Sequence, residues 1–312
     1  MHALVFADRP RHELLPLTES TPLPLLPVCG KTLIEHTIDD LVAANVRSIM
    51  IVLSEQGAAA IENTLGSGFR WGVKIEYARR HFGESASQVA RRVATRLPSS
   101  FLALRGDVYR SPMIAAFRQA ASNILASQVM ATVGGRCAQL CMCRNKGELQ
   151  LNFLSWVPEP LTAATNWQSV DLGDVNYFHL HDVPDFYLAN LDGLDEYVAA
   201  ANAENSLPGR PFYTHPYSRF RPQVVCAPPV LIGYRCEIAP DVQLNGPVVL
   251  GDDVHVDRGA FLYACVVLPG TYIPPGTELR NAVVTNEIAI GIDGNVIGRL
   301  DEWPTERSAI AN

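Results

Sequence analysis

An aliphatic side chain returns at every sixth position over a long stretch of the C-terminal part: Ile232, Ile238, Leu244, Leu250, Val256, Leu262 and Leu268. A second set follows each of these by four: Cys236, Val242, Val248, Val254, Ala260, Val266 and Tyr272. The residues between are mostly small or polar. This period predicts a parallel β-helix with three hexads per triangular coil and the first aliphatic of each hexad pointing inward. Seven hexads make only about two and a third coils, so an open end needs a cap or a partner. The segment 287–297, turning at Asp293-Gly294-Asn295, is the expected capping hairpin.

The N-terminal part has a different rhythm. Apolar runs at Ala3-Leu4-Val5-Phe6, Ser48 to Leu53, Val73 to Tyr77 and Phe101 to Leu104 read as strands. Between them lie helical patterns from about Leu33, from Gly57 to Leu65 and from Ala86 to Leu97. Strands alternating with helices of this size indicate βαβ units on a mainly parallel sheet. Leu140 to Phe153 reads as a hairpin around Asn145-Lys146-Gly147, Val175 to Leu180 as a strand, and Pro184 opens a long helix to about Ala203. Leu207 to Pro229 holds six prolines and no periodicity, and reads as a linker. The expected organisation is an α/β domain over 1–205, a linker over 206–229, the hexad helix over 230–284, and a hairpin with tail over 285–312.

The chain has 312 residues, which suits one large and one smaller domain. Hydrophobic residues at 48% and charged residues at 18% supply a large core. A net charge of −7 without a basic run argues against binding nucleic acid. No apolar run reaches the roughly 18 residues of a membrane span. The N-terminus lacks a signal-peptide pattern, and seven cysteines, mostly in apolar runs, read as free thiols in a reducing cytoplasm. Cys137, Cys141 and Cys143 have no second paired set nearby, so buried thiols are expected there rather than a metal site. His255 reads as part of a solvated turn.

The first strand is followed by Pro16-Leu17-Thr18, then Thr21-Pro22, Pro24-Leu25-Leu26-Pro27-Val28, Gly30-Lys31 and Leu33-Ile34. This order and spacing resembles the opening of the sugar-1-phosphate nucleotidyltransferases, the nucleotide-sugar pyrophosphorylases. The resemblance implies a Rossmann-like α/β nucleotidyltransferase domain with a mainly parallel sheet. The hexads resemble the left-handed hexapeptide-repeat β-helix. The implied reaction joins a nucleoside triphosphate to a sugar 1-phosphate and releases pyrophosphate. Charge then develops at the α-phosphate, which calls for backbone N–H donors, cations and Mg²⁺ held by carboxylates.

Carried over position by position, the frame is present and much of its chemistry is altered. The family's leading glycines fall on Asp8 and Arg9, its third on Arg11, and its arginine on Glu13. Its phosphate-binding lysine falls on Leu23. Its Glu-Lys-Pro is nearest to Pro158-Glu159-Pro160, and of its base-facing turn only Gly83 remains. Asp107, after a buried strand and a glycine, matches its first metal aspartate. The second falls on Leu180, with Asp182 two residues on and His179 and His181 on either side. The resemblance thus nominates Asp8, Arg9, Arg11 and Gly83 for nucleotide binding and Asp107 for Mg²⁺, with Asp182 a weaker candidate. A strand-end aspartate capping the next turn is the plain alternative for Asp107. Arg9 and Arg11 are the cations that could compensate for the lost ones.

Two functions follow. One is a catalytically degenerate relative acting as an assembly, regulatory or nucleotide-sugar-sensing subunit in sugar-nucleotide or surface-polysaccharide metabolism. The other is an active nucleotidyltransferase whose site is rebuilt on Arg9, Arg11 and Asp107. Expected partners are a second copy of the chain, a competent relative or polysaccharide-synthesis enzyme, and a nucleotide or nucleotide sugar.

Overall fold

The computed structural model describes residues 1–10, 14–154, 167–173, 175–204 and 212–303. The chain forms two compact units, Met1–Leu26 with Thr32–His179, and Pro27–Lys31 with Leu180–Asn312.

The first unit runs β1 (His2–Ala7), α1 (Leu33–Ala43), β2 (Ser48–Leu53), α2 (Ala58–Leu65), β3 (Lys74–Arg79), α3 (Ala86–Val93) and β4 (Phe101–Arg105). It continues through β5 (Tyr109–Arg110), α4 (Ile114–Ser122), β6 (Gln128–Val133), β7 (Arg136–Cys143), β8 (Trp167–Asp171) and β9 (Tyr177–Phe178). The main sheet has the order β8-β6-β7-β4-β1-β2-β3, with β7 antiparallel to both neighbours and the other pairs parallel. Successive residues of β1 serve two cores: Ala3, Val5 and Ala7 pack with α1 and α4 residues, and Leu4 and Phe6 pack with Val89 and Phe101. A strand covered on both faces must be apolar throughout, which is why it shows no alternation in sequence.

Local chemistry fixes the helix entries. Thr32 and Glu35 form a reciprocal capping box at α1. The buried Asp40 carboxylate on α1 accepts from Met113 N at 3.0 Å and Ile114 N at 3.1 Å, capping α4 from outside.

The hairpin and the long helix differ from the sequence expectation. The hairpin expected over 140–153 lies earlier: β6 and β7 pair antiparallel across Gly134-Gly135. After Cys143 the chain enters a 3₁₀ turn at Lys146–Glu148, where Asn145 Oδ1 accepts from Gly147 N at 3.0 Å. Leu149, Leu151 and Phe153 do alternate and are buried, but they anchor a segment on the α3 side of the core rather than a strand. Alternation reports burial of one face and does not by itself require pairing. The long helix after Pro184 is two, α5 (Val183–Leu191) and α6 (Leu194–Glu204), parted at Gly193 with φ of 74°.

In the second unit, parallel strands stack in coils. Val230 pairs with Val248, Glu237 with His255 and Gln243 with Phe261, each 18 residues on, the rise of three hexads. This is consistent with the expected β-helix. The stretch read as a linker carries strands too: Phe212–Thr214, Arg219–Phe220 and Val225–Ala227 each pair parallel with strand residues 18 further on. Prolines at the corners had masked that coil's periodicity. The hexad frame also slips once. Gly246-Pro247 lie opposite the single residue Ala264, so Val248 faces Cys265 and Leu250 faces Val267, 17 residues on. Val267, Ile273 and Leu279 therefore fill the interior in place of Leu268 and its frame. The strands Ile288–Gly291 and Val296–Arg299 form the antiparallel closing hairpin, and Leu300 and Trp303 pack on the same core.

Leu231, Val249, Val266 and Val283 stand in register on the outer side of this sheet, yet none is more than 3% exposed. Helix α5 packs across the three strands that carry Val249, Val266 and Val283. Tyr187 donates to Ala264 O at 3.0 Å, and Cys29 N donates to the α5 residue Asn190 Oδ1 at 3.0 Å.

Candidate functional site

In the first unit, β1 and β4 run parallel with Phe6 opposite Arg105, and the chain leaves both at the same edge. Asp8 follows β1; Arg105 ends β4 and Gly106-Asp107 follow it. Carboxyl ends of parallel strands are the usual place for a ligand site in such sheets. Gly106 N donates to Phe6 O at 2.8 Å. A Cβ at Gly106 would lie 2.4 Å from Ile34 Cδ1 and 2.6 Å from Val5 Cγ1, so only glycine permits this approach.

Arg105 is the centre of the arrangement. It sits on the strand face of Phe101 and Ala103, where the sequence pattern asks for an apolar residue, and is 1% exposed. Its Nε donates to Asp107 Oδ1 at 2.6 Å and its Nη2 to Asp107 Oδ2 at 2.5 Å, a two-pronged pair. Nη2 also reaches Asp8 Oδ1 at 2.9 Å, and Nη1 donates to Leu154 O at 2.6 Å. Asp8 Oδ2 accepts from Arg80 Nη1 at 2.7 Å. Arg9 N donates to Asp107 Oδ2 at 3.3 Å, and Arg9 Nη1 donates to His179 O at 2.6 Å. The buried Arg110 donates through Nη2 to Arg105 O and through Nη1 to Ala138 O at 3.3 Å.

Burial alone would raise the Asp107 carboxyl. The Arg105 charge and hydrogen bonds, with Arg9 and His179, outweigh it and hold the group below its ordinary value. Burial works against the charged form of Arg105 as well, and Asp107 and Asp8 more than offset it, keeping the guanidinium protonated.

The structure brings together Asp8, Arg9 and Asp107 from the nominated set, and joins to them His179, noted in the sequence beside Leu180, and Arg80, Arg105 and Arg110, which the sequence reading did not use. The signal for Arg105 was in the sequence: a cation closing an otherwise apolar strand is rarely buried unless paired. Gly83 lies in an exposed turn with φ of +78°. That turn is tied back by Arg80 Nε donating to Glu84 O at 2.7 Å. Leu23 and Leu180 are buried, at 1% and 0% exposure. The strand expected over 175–180 is limited to Tyr177–Phe178, and Leu180 has φ of 58°, so His179 and His181 do not alternate along a strand face. Asp182 is the N-cap of α5, its Oδ1 accepting from Asp185 N at 2.9 Å. Arg11, Glu13 and Pro158-Glu159-Pro160 lie outside the described residues. All seven cysteines are free, and Cys141 and Cys143 are buried with sulfurs 3.9 Å apart.

The residues around Asp107 do not fit a Mg²⁺ site. Mg²⁺ requires carboxylate oxygens at about 2.0–2.1 Å in octahedral geometry. Both Asp107 oxygens already face the Arg105 guanidinium. Among the described residues, no group of three or more His, Cys, Asp or Glu side chains is placed to hold a metal.

The family pattern described as nucleotidyl transferase matches residues 12–136. An N-acetylmuramate α-1-phosphate uridylyltransferase of Neisseria meningitidis is 35% identical over 126 residues, covering 40% of this chain and 54% of that protein. A low-salt glycan biosynthesis nucleotidyltransferase of Haloferax volcanii is 38% identical over 64 residues, 20% of this chain and 18% of that protein. A glucose-1-phosphate thymidylyltransferase of an Actinoplanes species is 31% identical over 78 residues, 25% and 26% of the two. The chain therefore spans about half or less of the length of these relatives. A Bacillus anthracis crystal structure, described as a glucose-1-phosphate thymidylyltransferase with sucrose, superposes with a TM-score of 0.51 at 14% identity, over 61% of this chain and 94% of that one. That likeness bears on fold alone. With the strand-loop-helix opening, the mainly parallel sheet and these matches in agreement, the α/β unit of this chain is similar to the sugar-1-phosphate nucleotidyltransferases, and its residues 12–136 match the nucleotidyl transferase family.

Proposed function

We propose that this protein is a non-catalytic member of that family, acting in sugar-nucleotide or surface-polysaccharide metabolism as an assembly, regulatory or sensing subunit that binds a nucleotide or nucleotide sugar. The observation that carries this reading is the Asp107 carboxylate, held on both oxygens by Arg105. A triphosphate here would meet Leu23 in place of a cation. Oxyanion and cation contacts of this kind are each worth roughly 2.7–4 kcal/mol in other enzymes. A finished nucleotide sugar carries less charge and needs no reaction geometry, so its binding is compatible with the altered site. The C-terminal coils are read as a left-handed β-helix that supports self-association, in a cytoplasmic protein.

The test is pyrophosphate release across the common nucleoside triphosphates and hexose 1-phosphates with Mg²⁺. No turnover is expected. A rate above about 0.1 per second, against the usual 1–10³ per second, that disappears in Asp107→Ala would overturn the reading. It would favour an active enzyme rebuilt on Arg9, Arg11 and Asp107, for which the excess of guanidinium groups at the site speaks.

A further inference from the structure

We propose that the Arg105 guanidinium is a built-in substitute for a divalent cation: it neutralises Asp8 and Asp107 together, so this end of the sheet takes up no metal. The proposal deepens the functional reading above and concerns the same site.

Two aspartates converge at the carboxyl ends of β1 and β4, with 5% and 0% exposure. Carboxylates brought together out of water demand positive charge. Arg105 meets that demand from within the strand. Its four hydrogen bonds reach Asp107 twice, Asp8 once and the Leu154 carbonyl once. It stands at 2.5–2.9 Å from three carboxylate oxygens, in the space an ion bridging the two groups would occupy.

The surroundings oppose a further cation. Arg80 holds the second Asp8 oxygen, Arg9 touches Asp107 through its backbone N–H, and Arg110 lies against the Arg105 carbonyl. Four guanidinium groups stand against Asp8, Asp107 and the Asp40 carboxyl that interacts with Arg110, a surplus of one positive charge in this network. A divalent ion entering would displace a forked ion pair and meet net repulsion in a dry site, where charges are poorly screened. The carboxylates themselves remain in place for a metal once the guanidinium is gone.

Mn²⁺ alone is the probe, read by its paramagnetic resonance signal and by thermal shift. The full-length wild-type protein should show no saturable Mn²⁺ site. Arg105→Leu, which continues the apolar strand, should gain one, with affinity at least about tenfold tighter than any residual wild-type binding. Adding Asp107→Asn should abolish the gain. If Arg105→Leu does not fold, Arg105→Gln, which removes the charge but keeps a side chain able to donate to Asp107, should gain the Mn²⁺ site instead. A saturable wild-type site lost in Asp107→Asn overturns the proposal. So does a folded variant without Arg105 that binds no Mn²⁺. Pyrophosphate release by the wild type in EDTA would sink the non-catalytic reading and leave this inference standing.

Discussion

At the scale of single residues, the site is a problem in buried charge. A buried ion pair adds little net stability, because desolvation offsets most of the attraction, but breaking one strands its partner. Asp107→Asn leaves Arg105 with Asp8 alone and should cost about 3–5 kcal/mol, measured by urea unfolding at neutral pH. The loss should depend on pH. The native Asp107 carboxyl lies below its ordinary value, so its contribution is present above the unfolded value near 4 and is lost as pH falls through the native one. The stability gap between wild type and Asp107→Asn should therefore narrow below about pH 4. A gap of constant size down to acid unfolding would mean that Asp107 is not ionised in the native protein. Asp40 works in the opposite direction. Burial raises its carboxyl despite the Met113 and Ile114 N–H groups and Arg110, so its contribution is fully present at low pH and fades as pH rises from near 4 through the native value.

At the scale of elements, small residues decide where backbones can meet. A Cβ at Gly246 would lie 2.3 Å from Pro229 O and 2.4 Å from Pro229 N, both in the adjoining coil. Backbone there cannot rotate away as a side chain would. Gly246→Ala should destabilise the coils by at least about 1–3 kcal/mol, the usual range for overpacking. Hydrogen exchange should show the loss in Val230–Ile232 and Gln243–Leu250 while the main sheet of the first unit stays protected. Equal loss in both units would refute the local account. The α1 capping box offers a milder case. Thr32→Ala removes one side of it and should cost about 1 kcal/mol, seen as a lower denaturant midpoint with an unchanged slope.

At the scale of the whole molecule, the question is what covers the exposed apolar edges. The strand Val296–Arg299 is the last of its sheet among the described residues, and Ile292, Val296 and Ile297 are 49%, 56% and 51% exposed. An open edge strand flanked by aliphatics invites a second strand. We expect a dimer or larger assembly by light scattering at micromolar concentration, and Val296→Lys should shift it toward monomer. A wild-type monomer mass unchanged by concentration would argue against assembly through this edge.

Much of the architecture was legible because it rests on periodicity and local chemistry. The hexads set a rise of 18 residues per coil, the apolar runs marked strands buried on two faces, and the spacing from Pro16 to Ile34 marked the likeness to the nucleotidyltransferases. Three things were decided only in three dimensions. The coil over 212–227 was hidden by its prolines, and the hexad frame slipped where Gly246-Pro247 met Ala264, since register follows backbone pairing and not count. The meaning of Asp107 was hidden too. Its spacing after β4 identifies the position, but its chemistry depends on Arg105, two residues away, and on Asp8, Arg9 and Arg80, far off in sequence. Spacing can show which carboxylate reaches the end of a strand. Which charge meets it there is settled when separate strands bring their ends together out of water.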